Sequence, residues 1–259
     1  MEHESNLLPN GATSLARGLE ILRCFSAREP ALSNSQLASY TGLPKSTVSR
    51  LTKTLVELGY LRHDKKRRQY RIGPSVLSLG YAALSNLRVI DIARPHMQSL
   101  AEATDALISL AIRDRLSMLY IEACSSDANL TLKMGRGVHM PMLTTSIGRA
   151  FLASLPNLER EYLITQIQSE HPQENQVDIL AALNEELAFF NKNKYCRSFG
   201  EWNKDVNAVS APIQWSEGTD LVVMSISGPS FIITPRLLED ELVPRLLSLT
   251  DYISSQLVL

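Results

Sequence analysis

The stretch "TGLPKSTVSRLTKTLVELGYL", Thr41 to Leu61, combines one apolar stripe with an unusual polar face. Its apolar residues recur at spacings of three and four, which predicts one helix from Pro44 to Leu58. The stripe consists of Val48, Leu51, Leu55 and Leu58. The other side chains from Lys45 to Lys53 are all basic or hydroxyl-bearing: Lys45, Ser46, Thr47, Ser49, Arg50, Thr52 and Lys53. The first carboxylate of the helix is Glu57.

The residues before this helix predict a second, shorter helix and a tight turn. Ser33 followed by Gln36 is typical of a capping box that opens a helix. Gly42 is expected to end that helix, and Pro44 suits the first position of the next one. Two short helices joined by "TGLPK" predict a helix-turn-helix.

After Gly59 the pattern changes from helical to strand-like. The segments "YLRHD" and "YRIG" flank the basic tip "KKRRQ" and predict a hairpin with a charged turn. With an amphipathic helix over Ser14–Phe25, the sequence predicts a winged helix-turn-helix domain over residues 14–73, behind a flexible tail of residues 1–13.

Residues 74–89, "PSVLSLGYAALSNLRV", predict a linker helix with little polar surface. A lone domain could not cover all of its apolar side chains, so we expect this helix also to dimerise.

Residues 90–259 predict a second domain of the α+β class, built on an antiparallel sheet. The predicted strands are "ALISLAI", "SMLYIEA", "LTLKM", "NAVSAPIQW" and "LVVMSISG". Helices are predicted in "DIARPHMQSLAEAT", "TTSIGRAFLASL", "LEREYLITQI" and "DILAALNEELAFFNK", with a last helical segment that kinks or breaks at Pro244.

The charge of the 259 residues is distributed unevenly. Residues 1–86 hold 12 Lys and Arg against 6 Asp and Glu, a net of +6, while the remaining 14 against 21 give −7. This asymmetry suggests that the first part meets a polyanion. Three widely spaced cysteines, no visible signal peptide and no long apolar run favour a soluble protein of the reducing cytoplasm.

The polar face of the Pro44–Leu58 helix favours binding to double-stranded DNA. Arginine can fork onto guanine, hydroxyls reach bases or phosphates, and lysine neutralises phosphate, whereas a carboxylate would repel the backbone. The alternative is a solvated helix face, although such faces usually mix charges of both signs. The wing residues Lys65, Lys66, Arg67 and Arg68 could contact a groove or form a plain solvated turn, and Arg17 could contact phosphate or simply lie on the surface.

Several segments together resemble the IclR family of bacterial transcription regulators. "SLARGLEILRCF", "LPKSTVSRLTKTL" and "GYLRHDKKRRQYRIGPSVLSLG" are similar to its DNA-binding half, and "TTSIGRAFLASL" and "VSAPI…VVMSISGPS" to its effector domain. The resemblance implies a winged helix, a linker helix and a GAF-like effector domain. It also implies a homodimer or a dimer of dimers on a pseudo-palindromic operator.

Two features indicate a small-molecule site independently of that resemblance. In "LVVMSISG", Leu221, Val223, Ser225 and Ser227 share one face, and two buried hydroxyls need partners, either a ligand or neighbouring backbone and water. "MLTTSIGRAF" places hydroxyls at a helix start, where free N–H groups and the helix dipole favour a carboxylate or where the hydroxyls merely cap the helix.

The resemblance implies which positions contact the effector: Leu132, Met140, Ser146, Ile147, Ser198, Ala208, Ser225 and Ser227. Ser198 stands where the family often has an acid, and Asn207-Ala208 where Arg-Cys is usual, so the ligand's identity does not carry over. Met134, Met140 and Met142 would suit a flat apolar body or serve as core filler. Trp202 and Phe199 could cover a pocket or pin a loop. We expect a small carboxylate, aromatic or keto acid.

Two other functional classes are considered. A thiol hydrolase would need Cys124 or Cys196 activated by a histidine, but no local signature links these residues, and no metal-ligand spacing, P-loop or cofactor motif is visible. An architectural DNA-binding protein would not need hydroxyls inside an apolar domain. The sequence therefore predicts a regulator with no enzymatic activity, no cofactor and no membrane association.

Overall fold

The computed structural model describes residues 13–26, 29–126, 134–170, 176–213 and 221–257. These residues form two compact units, and the division falls between Asn86 and Leu87. The predicted tail lies almost entirely outside the described residues, as do most of "LTLKM" and the turn "SEGTD".

The N-terminal unit is a winged helix-turn-helix, as predicted. Its helices are α1 (Thr13–Arg23), α2 (Asn34–Thr41), α3 (Lys45–Glu57) and α4 (Pro74–Leu84). Strands β1 (Leu32–Ser33), β2 (Leu61–Asp64) and β3 (Gln69–Ile72) form an antiparallel sheet in the order β1-β3-β2. The sequence analysis missed β1, because two residues are too few to show an alternating pattern.

Local signals set the ends of α2 and α3. Ser33 Oγ accepts a hydrogen bond from the Gln36 N–H at 3.3 Å and Gln36 Oε1 accepts one from the Ser33 N–H at 2.9 Å, which confirms the capping box. Gly42 adopts a left-handed conformation, with φ of +66°, just after α2. Pro44 caps α3 rather than opening it, so the predicted start was one residue early.

The core of this unit corrects two details of the predicted stripe. Ile21, Leu32, Leu37, Val48 and Leu61 are fully buried together. Thr52 is also fully buried, because its hydroxyl donates to the Val48 carbonyl at 2.8 Å and needs no water. Leu58 lies instead in the helix cap and is 60% exposed.

The predicted linker helix is shorter than expected. It ends at Leu84, and Arg88 and Val89 already belong to α5 (Arg88–Thr104). Leu77, Leu79 and Tyr81 of α4 are 62%, 58% and 66% exposed. Among the described residues, no single helix is long and apolar enough to cross a membrane; α4 and α5 reach that length and composition only when counted together across their break.

The C-terminal unit is an α+β domain on a six-stranded antiparallel sheet in the order β6-β5-β4-β9-β8-β7. The strands are β4 (Leu107–Asp114), β5 (Ser117–Cys124), β6 (His139–Pro141), β7 (Cys196–Phe199), β8 (Val206–Ile213) and β9 (Val222–Pro229). Sequence analysis did not predict β6 or β7, because short edge strands carry little periodicity.

Helices cover this sheet. α5 packs against β4 and β5, and α10 (Val243–Leu257) packs against β8 and α5. α6 (Ser146–Ser154) crosses β7, β8 and β9 and is backed by α8 (Gln176–Asn193), with α7 (Asn157–Glu170) between them in the chain.

The C-terminal helical segment is irregular just before Pro244 rather than at it. A short α9 (Pro235–Leu237) leads into a π-helical turn, Leu238–Leu242, and α10 begins at Val243. Pro244 thus occupies the first turn of α10, where its missing N–H is tolerated, and the wider turn accommodates its ring.

Candidate functional site

The predicted basic surface is present on α3. Lys45, Ser46, Ser49, Arg50 and Lys53 are all exposed, whereas Thr47 is half-buried. Because Val48 and Thr52 hold the helix against the core, the exposed side chains point away from it together.

Two contacts modify this surface. The Asn34 Nδ2 group on α2 donates to Ser49 Oγ at 3.0 Å, so Asn34 belongs to the same surface although sequence analysis did not select it. Lys53 Nζ lies 3.9 Å from Glu57 Oε1, an exposed pair worth about 0.3–0.5 kcal/mol. The face is therefore free of carboxylates only up to the last turn of α3.

The wing presents Lys65, Lys66, Arg67 and Arg68 in an exposed turn between β2 and β3. Asp64 Oδ1 accepts hydrogen bonds from the backbone N–H groups of Lys66 and Arg67 at 3.0 and 3.1 Å, and the Arg67 N–H is the main cause that lowers the pKa of Asp64. The ionised carboxylate of Asp64 therefore holds the turn in place, while the side chains of Lys65, Lys66, Arg67 and Arg68 are exposed to solvent.

Two further arginines lie behind the wing tip. Arg62 and Arg71 are exposed and directly opposite each other on β2 and β3, where like charges repel. Arg17 is half-buried on α1, and no hydrogen bond or ion pair joins it to another described residue.

In the C-terminal unit, one cavity lies between the sheet and the start of α6. Its space, open mouth included, amounts to about 330 Å³. It is lined by Tyr120, Met134, Met140, Thr145, Ser146, Ile147, Ser198, Trp202, Val206, Ala208, Ser225 and Ser227. Of the eight positions selected from the sequence, seven line this cavity, and Leu132 lies outside the described residues.

Two lining residues, Tyr120 and Val206, were not found from the sequence. A β-bulge shifts the pairing of β4 with β5, so that Leu110 faces Glu122 but Ala111 faces Tyr120. This shift places Tyr120 at the cavity, and no local pattern signals it. Burial raises the pKa of the Tyr120 phenol, so the group stays protonated.

Hydroxyl groups form the polar part of the sheet beneath the cavity. Ser109, Ser225 and Ser210 lie opposite one another on β4, β9 and β8, and all are buried. Ser146 at the start of α6 reaches down to this row, with its Oγ 2.7 Å from Ser210 Oγ. The predicted alternation along β9 is thus confirmed.

The two hydroxyls singled out on β9 differ in their partners. Ser225 donates to the Val209 carbonyl at 3.3 Å, so for this hydroxyl the structure shows a backbone partner, one of the two alternatives that the sequence left open. Ser227 is 3% exposed, lines the cavity, and its Oγ has no hydrogen-bond partner among the described residues. An unpaired buried hydroxyl costs about 1–3 kcal/mol, so Ser227 is suited to a ligand.

The first turn of α6 offers backbone donors to the same cavity. The N-cap residue Thr145 accepts from the Gly148 N–H at 3.2 Å, and its carbonyl accepts from the Arg149 N–H. The N–H groups of Ser146 and Ile147 find no acceptor among the described residues, and both residues line the cavity. Since none of the described lining side chains is charged, the described source of positive potential there is these N–H groups and the helix dipole.

A buried arginine stands behind the cavity wall. Arg149 on α6 is 1% exposed and donates to the Leu143 carbonyl at 2.9 Å and to the Arg197 carbonyl at 3.1 Å. Its two terminal nitrogens also donate to the Glu201 carboxylate, and the bond from Nη1 to Oε1 is 2.9 Å long. Its charge is therefore neutralised, and four of its five N–H donors are occupied.

The cysteines are poorly suited to nucleophilic chemistry. Burial raises the pKa of both Cys124 and Cys196, and the carboxylates of Glu122 and Glu186 raise them further. His139 pairs with Asp114 at 2.9 Å rather than with a thiol. Within the part of the chain that the structure describes, no three His, Cys, Asp or Glu residues are placed to hold a metal ion.

A winged helix with an exposed cationic helix, joined in one chain to a domain with a hydroxyl-lined cavity, defines a ligand-sensing, DNA-binding regulator. The comparisons with known proteins agree. The family model described as "IclR helix-turn-helix domain" matches residues 14–65, and "Bacterial transcriptional regulator IclR C-terminal" matches residues 81–255.

The similarity to individual proteins extends over nearly the whole length of this chain. The HTH-type transcriptional regulator TsaQ1/TsaQ2 of Comamonas testosteroni is 35% identical over 94% of this chain and 88% of its own. The crystal structure of an IclR family regulator from Brucella abortus superimposes with a TM-score of 0.85 at 42% identity, covering 95% and 93% of the two chains. An IclR homolog from Microbacterium hydrocarbonoxydans, complexed with 4-hydroxybenzoate, gives 0.75 at 22% identity, covering 94% and 98%.

The chain belongs to the IclR family of bacterial transcriptional regulators. It is a DNA-binding transcription regulator with an N-terminal helix-turn-helix domain and a C-terminal effector-binding domain.

Proposed function

We propose that this regulator binds a specific double-stranded DNA operator and that a small carboxylate effector alters that binding. One observation carries the proposal: Ser146 and Ile147, whose N–H groups find no acceptor among the described residues, and Ser227, whose hydroxyl has no partner there, line one cavity, and none of its described lining side chains is charged. A carboxylate accepts hydrogen bonds but donates none, so it satisfies such donors.

The proposed DNA contacts divide by chemistry. Arg50 reads base edges from the middle of α3, and the hydroxyls of Ser46, Thr47 and Ser49 contact bases or phosphates. The remaining side chains neutralise phosphate: Arg17, Lys45, Lys53, Lys65, Lys66, Arg67 and Arg68. The exposure of Lys45, Ser46, Ser49, Arg50 and Lys53 and of the wing supports their roles, whereas Thr47 and Arg17 are half-buried.

The effector contacts are Met140, Ser146, Ile147, Ser198, Ala208, Ser225 and Ser227, to which the sequence adds Leu132. The flat apolar walls at Met134, Met140 and Trp202 suit an aromatic or keto acid. The aromatic carboxylate bound by the Microbacterium relative is of this kind. The departures at Ser198 and Ala208 leave the particular acid open.

A homodimer or dimer of dimers is the proposed assembly, because one recognition helix reads too few base pairs for useful specificity. The exposed apolar side chains Leu77, Leu79 and Tyr81 on α4 support dimerisation through this helix. Effector binding then shifts the spacing of paired winged helices through the linker. The protein acts in the cytoplasm and catalyses no reaction; the raised thiol pKa values support the latter.

The test uses 4-hydroxybenzoate and its uncharged amide, 4-hydroxybenzamide, on the full chain. Since a ligand at 100 times its dissociation constant stabilises by about 2.7 kcal/mol, the acid should raise the melting temperature and the amide should not. The acid should also change the affinity for promoter DNA in gel-shift titrations. Equal effects of acid and amide on melting and on DNA binding would contradict a carboxylate site. No effect of either compound would rule out 4-hydroxybenzoate as the effector, and the same pair of measurements with aliphatic keto acids and their amides would then decide.

A further inference from the structure

The loop between β7 and β8 carries Trp202 against the cavity. Its ends are closed by a hydrogen bond from the Gly200 N–H to the Val206 carbonyl at 3.0 Å, and Gly200 takes a left-handed φ of +74°. Within the loop, the Asp205 N–H donates to Asn203 Oδ1 at 3.0 Å. The loop is therefore compact. At its far end from Trp202, its Asp205 carbonyl accepts a hydrogen bond from the Ser230 N–H, just after β9, at 2.8 Å.

One ion pair ties this loop to α6. Among the described residues, the pair of Glu201 with Arg149 is the only polar contact between the loop and that helix. Glu201 precedes Trp202 directly, and Arg149 follows the lining residues Ser146 and Ile147 within one turn of α6. The pair therefore fixes Trp202 relative to the helix start that forms the opposite wall.

The two partners differ in their exposure. The Arg149 side chain is 1% exposed, and the backbone carbonyls of Leu143 and Arg197 hold it in place, whereas the Glu201 side chain is 37% exposed. Arg149 is thus held in one position by its backbone partners, and Glu201 is the partner that is free to move away. A buried guanidinium that loses its carboxylate is left with an uncompensated charge, which strongly favours the closed arrangement.

We propose that Glu201 is a positioning residue: its ion pair with Arg149 holds Trp202 across the cavity, and release of the pair uncovers the site. The inference rests on the proposed effector site for its significance, but the position of the indole can be measured without effector or DNA.

The experiment follows the indole itself. The chain has two tryptophans, so Trp215→Phe leaves Trp202 as the fluorescent reporter in the full-length protein. In that background, Glu201→Gln keeps the shape and removes the charge. Acrylamide quenching of Trp202 should then increase toward the value measured for the unfolded chain, while circular dichroism stays that of the folded protein.

Two variants control for non-specific effects. Glu159→Gln removes a carboxylate that pairs with Arg113 at 3.5 Å in the same domain but does not line the cavity, and it should leave quenching unchanged. Glu201→Asp keeps the charge and should restore most of the protection. If Glu201→Gln lowers the melting temperature but leaves Trp202 as protected as before, the pair is merely structural and the proposal is overturned. Equal quenching in Glu201→Asp and Glu201→Gln would overturn it as well.

Discussion

The two units place the same side chains in opposite surroundings. On α3, Ser46 and Ser49 are exposed beside Lys45 and Arg50, whereas Ser225 and Ser227 lie buried in a cavity none of whose described lining side chains is charged. Water competes for an exposed hydroxyl and not for a buried one, so a hydrogen bond in the cavity discriminates more strongly between ligands. The exposed face gains its affinity instead from charge acting over distance.

Several arginines follow the same division. Arg50, Arg67 and Arg68 of the N-terminal unit extend into solvent. In the effector domain, Arg149 pairs with Glu201, and Arg197 pairs with Glu186 and Glu239. A free guanidinium is available to DNA. A guanidinium paired with a carboxylate instead joins neighbouring elements of the domain and adds no net charge beside the cavity.

The largest expected effect tests how tightly the effector domain is packed. A Cβ at Gly148 would lie 2.3 Å from the Met142 Cα, so Gly148→Ala must displace backbone. We expect a loss of about 3 kcal/mol in the free energy of unfolding, measured by urea denaturation. At Gly80 on α4 a Cβ meets nothing within 4 Å, so Gly80→Ala should be neutral or stabilise by up to about 1 kcal/mol. Similar losses in both variants would contradict the contrast in packing.

The second effect concerns base readout on the exposed face. Arg50→Ala should cost about 1–3 kcal/mol of discrimination between operator and random DNA. Competition binding with the two DNAs measures this loss. Arg236→Ala changes a 91% exposed arginine of the effector domain and should leave discrimination intact. Unchanged operator preference in Arg50→Ala would show that another residue reads the bases.

The third effect separates charge from readout. Lys65→Ala combined with Lys66→Ala should weaken binding to all sequences alike and reduce the salt slope by about two. Affinities measured between low and physiological salt give this slope. Lys192→Ala, an exposed lysine on α8, is the control and should not change it. A change of base preference in the wing variant would place the wing among the specificity elements.

The smallest expected effect is a change in the free energy of unfolding. Unlike most substitutions, which destabilise, the first one here should not. Because Ser227 Oγ has no partner among the described residues, Ser227→Ala should be neutral or stabilise by about 1 kcal/mol. Ser198→Ala should lose about 1 kcal/mol, since it removes the bond to the Thr144 carbonyl at 2.8 Å. Thermal unfolding of both variants checks the difference.

The two serines of β9 that line the cavity should also affect the response to ligand. Ser225→Ala combined with Ser227→Ala should blunt the response of DNA binding to 4-hydroxybenzoate while sparing DNA affinity itself. An unaltered response would reject these serines as effector contacts.

The sequence by itself determined what depends on near neighbours. The capping box of Ser33 and Gln36 spans three residues, the α3 stripe repeats every three or four, and the alternation of β9 repeats every two. These signals predicted the winged helix, the antiparallel sheet and the strand that lines the cavity. The gathering of seven selected positions around one cavity rested on the family resemblance as well.

Tertiary structure decided what depends on residues far apart in the chain. Arg149 meets Glu201 across 52 residues, Asn34 meets Ser49 across 15, and the bulge that aims Tyr120 exists only in the pairing of β4 with β5. Such contacts form when packing brings separate elements together, and hydrogen-bonding capacity alone does not specify the partner. For the same reason Thr52 was expected outside and lies inside: the helix itself satisfies its hydroxyl, and only the surrounding core makes that position dry.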